Sequence, residues 1–178
     1  MHSLEYFYKR TLQFDLINKF YYTDLKKLPK LKKIILNFSC KTTELKSLAT
    51  NLLALELITN QKGILTVSKR PNLLLKIRKG NPAGCKLTLR KAKMLNFIFK
   101  SLNEVFSKIK NFNGIPVNQK VKKTALSFII RDTLNFSELT EHYYLFNNLP
   151  NLNLSFITSV ETKKEILFIL KSLQLPIE

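Results

Sequence analysis

The chain has 178 residues, 45% of them apolar, and its 30 Lys and Arg against 12 Asp and Glu give a formal net charge of +18. This length predicts a single domain over residues 1–178, and the apolar fraction excludes a disordered basic arm. The charge indicates a polyanionic partner, and no apolar run reaches the roughly 20 residues that span a bilayer.

The first elements are a helix and a strand. Apolar residues at helical spacing predict a helix over Ser3–Phe20, and the β-branched, apolar run Leu31–Phe38 predicts a strand. The amino-terminal decapeptide contains Glu5 and lacks a leader rich in Ser and Arg, so we do not expect it to be an import sequence.

A second helix and strand follow. The apolar face from Leu45 to Ile58 predicts a helix that Thr42 or Thr43 caps, and Gly63 breaks the pattern. The run Ile64–Val67 is the next predicted strand.

The centre of the chain carries an unusual surplus of cations. No acidic residue occurs between Leu57 and Asn103, and Lys69–Arg90 holds seven Lys or Arg. Two predicted strands, Leu73–Arg78 and Cys85–Arg90, flank the turn Gly80–Gly84, and the period of two in the second places Lys and Arg on one face. A biased genome could explain part of the Lys content, but not the missing acids.

The remaining pattern predicts two further helices and two further strands. The predicted elements are a helix over Lys91–Lys110, a turn at Asn113–Pro116, a basic loop at Lys120–Lys123, strands over Leu126–Arg131 and Leu152–Val160, and a helix from a capping box at Thr162 and Glu165 through Leu173. The order predicts an α+β fold, a mostly antiparallel sheet with helices packed on one face, plus a protruding basic loop.

Enzymatic chemistry has little support. His142 lies in a loop-like stretch, Glu138 and Glu141 are expected to be solvated, and the segment Lys79–Gly84 lacks the Lys-Ser/Thr that completes a P-loop. Cys40 and Cys85 are too few for a metal or disulfide framework and are expected to be buried thiols. We therefore expect no enzyme activity, no cofactor and no metal.

Binding of phosphate is better supported. Long cations on a stiff frame lose little entropy on binding, and Gly80 and Gly84 permit close backbone approach at a loop tip. Arg78 and Arg90 suit bidentate phosphate contacts, whereas Lys suits point-charge attraction. From charge alone, a non-ribosomal RNA-binding protein, a protein on an anionic membrane and a solvated basic face with no partner all stay open.

A family resemblance narrows the choice. The run Gln61-Lys62, Thr66, Lys69-Arg70, Lys76-Ile77-Arg78 and Gly80-x-Pro82-x-Gly84-Cys85-Lys86-x-Thr88-Leu89-Arg90 resembles the signature of the bacterial-type large-subunit ribosomal protein five family. The segments Leu28–Ser39, Asn111–Ile115, Phe136–Leu139 and Leu152–Pro176 extend the resemblance over the whole chain.

The resemblance implies a structural protein of the central protuberance that binds 5S ribosomal RNA, contacts peptidyl-site tRNA, neighbours other large-subunit proteins and bridges to a small-subunit head protein. The implied rRNA-binding residues are Asn37, Thr66, Lys69, Arg70, Lys86 and Arg90. The implied tRNA-facing loop comprises Leu73, Leu74, Lys76, Arg78, Lys79, Gly80, Pro82 and Gly84.

The chain departs from the family pattern at three places. Ser39–Thr43 lacks the Gly-Val-Gly turn, Pro71 and Leu74 replace smaller residues, and the region Pro116–Thr124 is shortened. Together with the composition, these departures indicate an organellar ribosome, mitochondrial first and plastid second. Some mitochondrial ribosomes lack a recognisable 5S RNA, so the rRNA ligand stays open.

Overall fold

The helices and strands of the chain follow the hydrophobic periods of its sequence. The computed structural model describes residues 3–22, 24–40, 44–74, 77–109, 114–115, 121–122, 124–160 and 162–177. The helices are α1 Ser3–Phe7, α2 Gln13–Phe20, α3 Leu45–Thr59, α4 Lys91–Lys100, α5 Ser137–Thr140, α6 Tyr143–Phe146 and α7 Lys163–Ser172. The strands are β1 Leu31–Ser39, β2 Ile64–Val67, β3 Pro82–Leu89, β4 Val121–Lys122, β5 Ala125–Ile130 and β6 Leu152–Thr158.

The six strands form one sheet in the order β2-β3-β1-β6-β5-β4, and every neighbouring pair is antiparallel. The central strand β1 pairs with β3 on one side and with β6 on the other. Ile34 thus lies opposite Leu89 and also opposite Phe156. The sheet therefore joins residues from both halves of the chain.

The core lies between one face of the sheet and the helices. Alternate residues of β1, namely Ile34, Leu36 and Phe38, are fully buried, and the same alternation recurs in β3, β5 and β6. Phe128 and Phe156 stack across neighbouring strands with 5.7 Å between ring centroids. Full burial of each such side chain stabilises the fold by about 1.5–3 kcal/mol, so this face fixes the register of the sheet.

The α+β prediction is confirmed, and most predicted elements are present. A π-helical turn, Tyr8–Leu12, joins α1 to α2, and another, Ser101–Phe106, extends α4. At the start of α7 the Glu165 backbone N–H donates to the Thr162 hydroxyl over 3.4 Å, so the predicted cap is present.

Several local predictions are wrong. Leu73–Arg78 is not a strand, because Asn72 and Ile77 form only an isolated bridge around a turn. The predicted basic loop Lys120–Lys123 contains the short strand β4, and helices α5 and α6 were not predicted. The predicted positions Thr42, Thr43, Lys110, Asn113, Pro116, Lys120 and Lys123 lie outside the described residues.

Candidate nucleic-acid interface

The second face of the sheet is not covered by the described helices. Side chains on this side are exposed or half-buried, whereas their neighbours in each strand are buried. This open face consists of Lys33, Ile35, Asn37, Ser39, Thr66, Lys86, Thr88, Ser127, Ile129, Asn153, Ser155 and Ile157. None of these residues is acidic, so the open face is a polar surface that combines hydroxyls, amides and cations.

The register of three strands builds a row of polar groups at the centre of the open face. Asn37 lies opposite Lys86 in β3 and opposite Asn153 in β6. Directly opposed side chains have Cβ atoms about 4.5–5.5 Å apart. An ammonium group can attract phosphate, and the two amides can donate to and accept from base edges or 2′-hydroxyls.

Thr66 and Gly84 extend this surface toward the edge of the sheet. Thr66 lies opposite Gly84, and the Thr66 hydroxyl is 3.3 Å from the position a Cβ would take on residue 84. The sequence placed Gly84 in the loop tip, which is wrong, because Gly84 is a buried residue of β3 opposite Ser39. Its missing side chain allows β1 and β3 to approach closely.

Gln61 is a polar residue of this edge that the sequence prediction did not select. Its Nε2 donates to the Thr88 carbonyl oxygen over 3.1 Å, which ties the segment after α3 to β3. Gln61 and Thr88 line a cavity of about 360 Å³ together with Lys62, Ile64 and Lys86. The Gln61-Lys62 pair within the family signature was the available sequence signal.

Residues 68–81, the basic loop, connect β2 to β3. Two backbone hydrogen bonds close its base, from Ser68 N–H to the Asn81 carbonyl over 2.8 Å and from Gly80 N–H to the Ser68 carbonyl over 2.9 Å. Asn72 and Ile77 exchange two more, of 2.8 and 2.9 Å, below the tip. Gly80 has a φ of +90°, a conformation that favours glycine, as predicted.

The basic loop presents cations beside an apolar tip. Lys69, Arg70, Arg78 and Lys79 are exposed. Leu73 and Leu74 are 93% and 95% exposed. A concave region of about 570 Å³ is lined by residues 68–74 and Ile77. Lys76 lies outside the described residues, and protrusion of the loop stays a prediction.

Two further site residues differ in position from the prediction. Pro82, assigned to the loop, is the first residue of β3. Arg90, assigned to the sheet, follows β3 as the extended residue that precedes α4, and its side chain is exposed. The predicted loop therefore ends before Pro82, and Arg90 lies at the end of the open face.

Cations of the open face and basic loop have no acidic partner among the described residues. The ion pairs of the described chain are Glu5–Lys9, Asp24–Lys27 and Glu138–Lys100. Burial raises the pKa of Glu138, but hydrogen bonds from Lys100 and a backbone N–H hold that pKa below its ordinary value. Glu138 is thus paired, contrary to the sequence prediction that it is solvated, and the interface charge is left for an external anion.

Other chemistry has no site in the described part of the chain. Its His, Cys, Asp and Glu residues form no group of three that could hold a metal ion. Among the same residues, no helix is both long and apolar enough to cross a bilayer. Cys40 and Cys85 are buried free thiols, as the sequence predicts.

Comparison with known proteins places this geometry in a family. The model for the C-terminus of the ribosomal L5 family matches residues 82–177. The chain is 37% identical to large ribosomal subunit protein uL5m of Reclinomonas americana, over 99% of this chain and 98% of that protein. It is 32% identical to uL5 of Malacoplasma penetrans, over 95% and 90% of the two chains, and 31% identical to uL5c of Euglena gracilis, over 99% and 98%. The chain belongs to the ribosomal L5 family, the uL5 proteins of the large ribosomal subunit.

Proposed function

We propose that this structural, non-enzymatic protein of the large ribosomal subunit binds ribosomal RNA through its open face. The observation that carries the proposal is the row Lys86, Asn37 and Asn153, set in a surface without acidic residues. A neutral row with a cation at one end suits unpaired RNA, which offers phosphates, 2′-hydroxyls and base edges together.

The remaining rRNA contacts surround this row. Thr66 lies at the edge of the open face, Arg90 at the end of β3, and Lys69 and Arg70 at the base of the basic loop. Each cation adds counterion release to the binding free energy. We assign 5S rRNA as the ligand where the ribosome contains it, and large-subunit rRNA otherwise.

The basic loop is proposed to contact peptidyl-site tRNA. Its exposed Arg78 and Lys79 suit backbone phosphates, and Gly80 allows close approach of the main chain. The exposed Leu73 and Leu74 supply an apolar surface that phosphate does not need. The loop therefore suits a nucleic-acid surface that presents stacked bases beside its backbone.

A different surface is proposed for the bridge to a small-subunit head protein. Residues 132–149 contain three acids, Asp132, Glu138 and Glu141, and no Lys or Arg. Tyr143 and Tyr144 are exposed beside them. Acidic and aromatic groups disfavour RNA phosphate and suit a basic protein surface.

We assign the chain to a mitochondrial ribosome, with a plastid ribosome second. The similarity to the uL5m protein of Reclinomonas americana supports the first assignment, and the similarity to a uL5c protein supports the second. Immunogold labelling or organelle fractionation of the source cell tests this assignment directly.

Salt-dependent RNA binding tests the rRNA proposal. If about six phosphates are neutralised, log K for a 5S rRNA transcript falls against log salt with a slope of roughly −4. Lys86→Ala should weaken binding and make the slope shallower by about 0.7. Asn37→Ala should weaken binding by about 0.5–1.5 kcal/mol with an unchanged slope, because an amide displaces no counterion.

Lys171→Ala is the matched control, because Lys171 is exposed on α7, away from the sheet. Equal losses for Lys86→Ala and Lys171→Ala would show that charge alone, without the open face, explains binding. A flat salt response of the unaltered chain would reject phosphate recognition altogether.

A further inference from the structure

The outer edge of β2 is open. Strand order places β2 at one end of the sheet, and no strand of the described chain pairs with its outer side. Main-chain N–H and C=O groups on such an edge are a template for a further strand.

The side chains of β2 are apolar and exposed. Ile64, Leu65 and Val67 are 72%, 45% and 62% exposed. Leu65 lies opposite the buried Cys85, so it is on the core side of the sheet, beyond the cover that the helices give to β3. Apolar groups on both faces of an edge strand are costly in water.

The usual protection of an edge strand is missing from β2. Natural edges often carry a Lys that discourages pairing, and the opposite edge strand, β4, includes Lys122. Charged residues make up 24% of this chain, yet residues 63–68 contain none. The composition of β2 is therefore that of a strand with a partner.

We propose that the outer edge of β2 binds an extended segment of a neighbouring protein as an added strand. This proposal rests on the proposed placement of the chain in a ribosomal subunit. RNA has no ladder of alternating N–H and C=O groups to match the edge, whereas an extended peptide has one and can cover Leu65 with alternate apolar side chains. A second copy of the chain is disfavoured because each copy carries +18.

The charge beside β2 restricts the added segment further. Lys62 is exposed, immediately before Gly63, and takes part in no ion pair of the described residues. An acidic residue at the matching end of the segment would pair with it. The partner segment is thus a short apolar run, about as long as the four residues of β2, with an acid at one end.

Site-specific photo-crosslinking in intact large subunits tests the proposal. A benzoylphenylalanine probe at Val67 should crosslink to one segment of one protein, which peptide mass spectrometry should identify as apolar with an adjoining acid. The same probe at Leu53, which is half-exposed on α3, should not reach that segment. Amides of residues 64–67 should exchange at least about ten-fold more slowly in the subunit than in the free protein bound to 5S rRNA.

Two outcomes of the probe experiment would overturn the proposal. The first is a crosslink from Val67 to RNA or to a second copy of the chain. The second is the absence of a protein crosslink together with unprotected amides. A double variant, Ile64→Lys with Val67→Lys, should leave the salt-dependent affinity for 5S rRNA within about two-fold and should slow subunit incorporation. Loss of RNA affinity in the unaltered chain would instead reject the proposed function, so the two failures are distinguishable.

Discussion

Gly84 lies so close to Phe38 that a Cβ on residue 84 would be 2.4 Å from the Phe38 carbonyl oxygen. This approach joins the two strands that carry the central polar row, since Asn37 adjoins Phe38 in β1 and Lys86 follows Gly84 in β3. The glycine requirement is therefore one of interstrand distance, and not of loop flexibility.

Gly84→Ala should destabilise the protein by about 1–3 kcal/mol, because backbone must move to accept the new methyl group. Gly80→Ala is the matched comparison. Its Cβ would meet no atom within 4 Å, but its φ of +90° is strained for alanine, and a cost of about 1 kcal/mol is expected. Urea denaturation followed by circular dichroism measures both. Equal and small losses would contradict the steric explanation.

Removing the carboxylate of Glu138 should make stability less dependent on acid pH. The pKa of Glu138 in the folded protein is below its ordinary 4.5. The unfolded chain therefore binds more protons between these two values, and the stabilisation is present above about 4.5 and is lost as pH falls through the folded pKa. Glu138→Gln should cost about 0.5–1 kcal/mol at neutral pH, since the pair with Lys100 is partly exposed.

Glu141→Gln provides the control for that experiment, because Glu141 is a nearby exposed acid. Thermal unfolding of both variants from pH 3 to pH 7 gives the comparison. The Glu138 deficit should shrink toward zero at the acid end. A deficit independent of pH would mean that side-chain packing, and not the ion pair with Lys100, stabilises this region.

The two thiols should report on opening of α3 over β3. Burial raises the pKa of Cys85 to about 11, with a smaller contribution from Cys40, and Cys85 is fully buried beneath Leu48 of α3. Iodoacetamide at pH 8 should label Cys85 at least roughly 100-fold more slowly in the folded protein than in urea. Similar rates in both conditions would show that the helix does not protect this thiol.

Leu73→Ser with Leu74→Ser should separate stability from function. Both side chains are almost wholly exposed, so unfolding free energy should change by no more than about 0.5 kcal/mol. If the basic loop contacts tRNA through its apolar tip, ribosomes with this double variant should hold peptidyl-site tRNA more weakly in filter-binding assays. Unchanged tRNA affinity would remove the tip from the proposed contact.

Strand β3 shows what the sequence can predict. Alternation of Cys85, Leu87 and Leu89 with polar residues identified both the strand and its exposed face, since burial on one side of a sheet has a period of two. The capped helix α7 was predictable for a similar local reason. Helices α5 and α6 were not, because four residues each are too few to show a helical period.

The basic loop shows where sequence patterns fail. Leu73–Arg78 has the composition of a strand, but Asn72 and Ile77 bond to each other across a turn and leave the leucines exposed. The central row of the candidate interface was equally hidden. Asn37, Lys86 and Asn153 come from distant parts of the chain, and only the register of β1 with β3 and β6 brings them together.

The central position of β1 has a consequence for synthesis of the protein. Its first partner, β3, is complete at Leu89, but its second partner, β6, begins at Leu152. At about 5–20 residues per second, the intervening sixty or so residues take roughly 3–12 s to translate. During that interval one edge of β1 has no strand to pair with, so the nascent chain is most vulnerable to aggregation just before its last strand emerges.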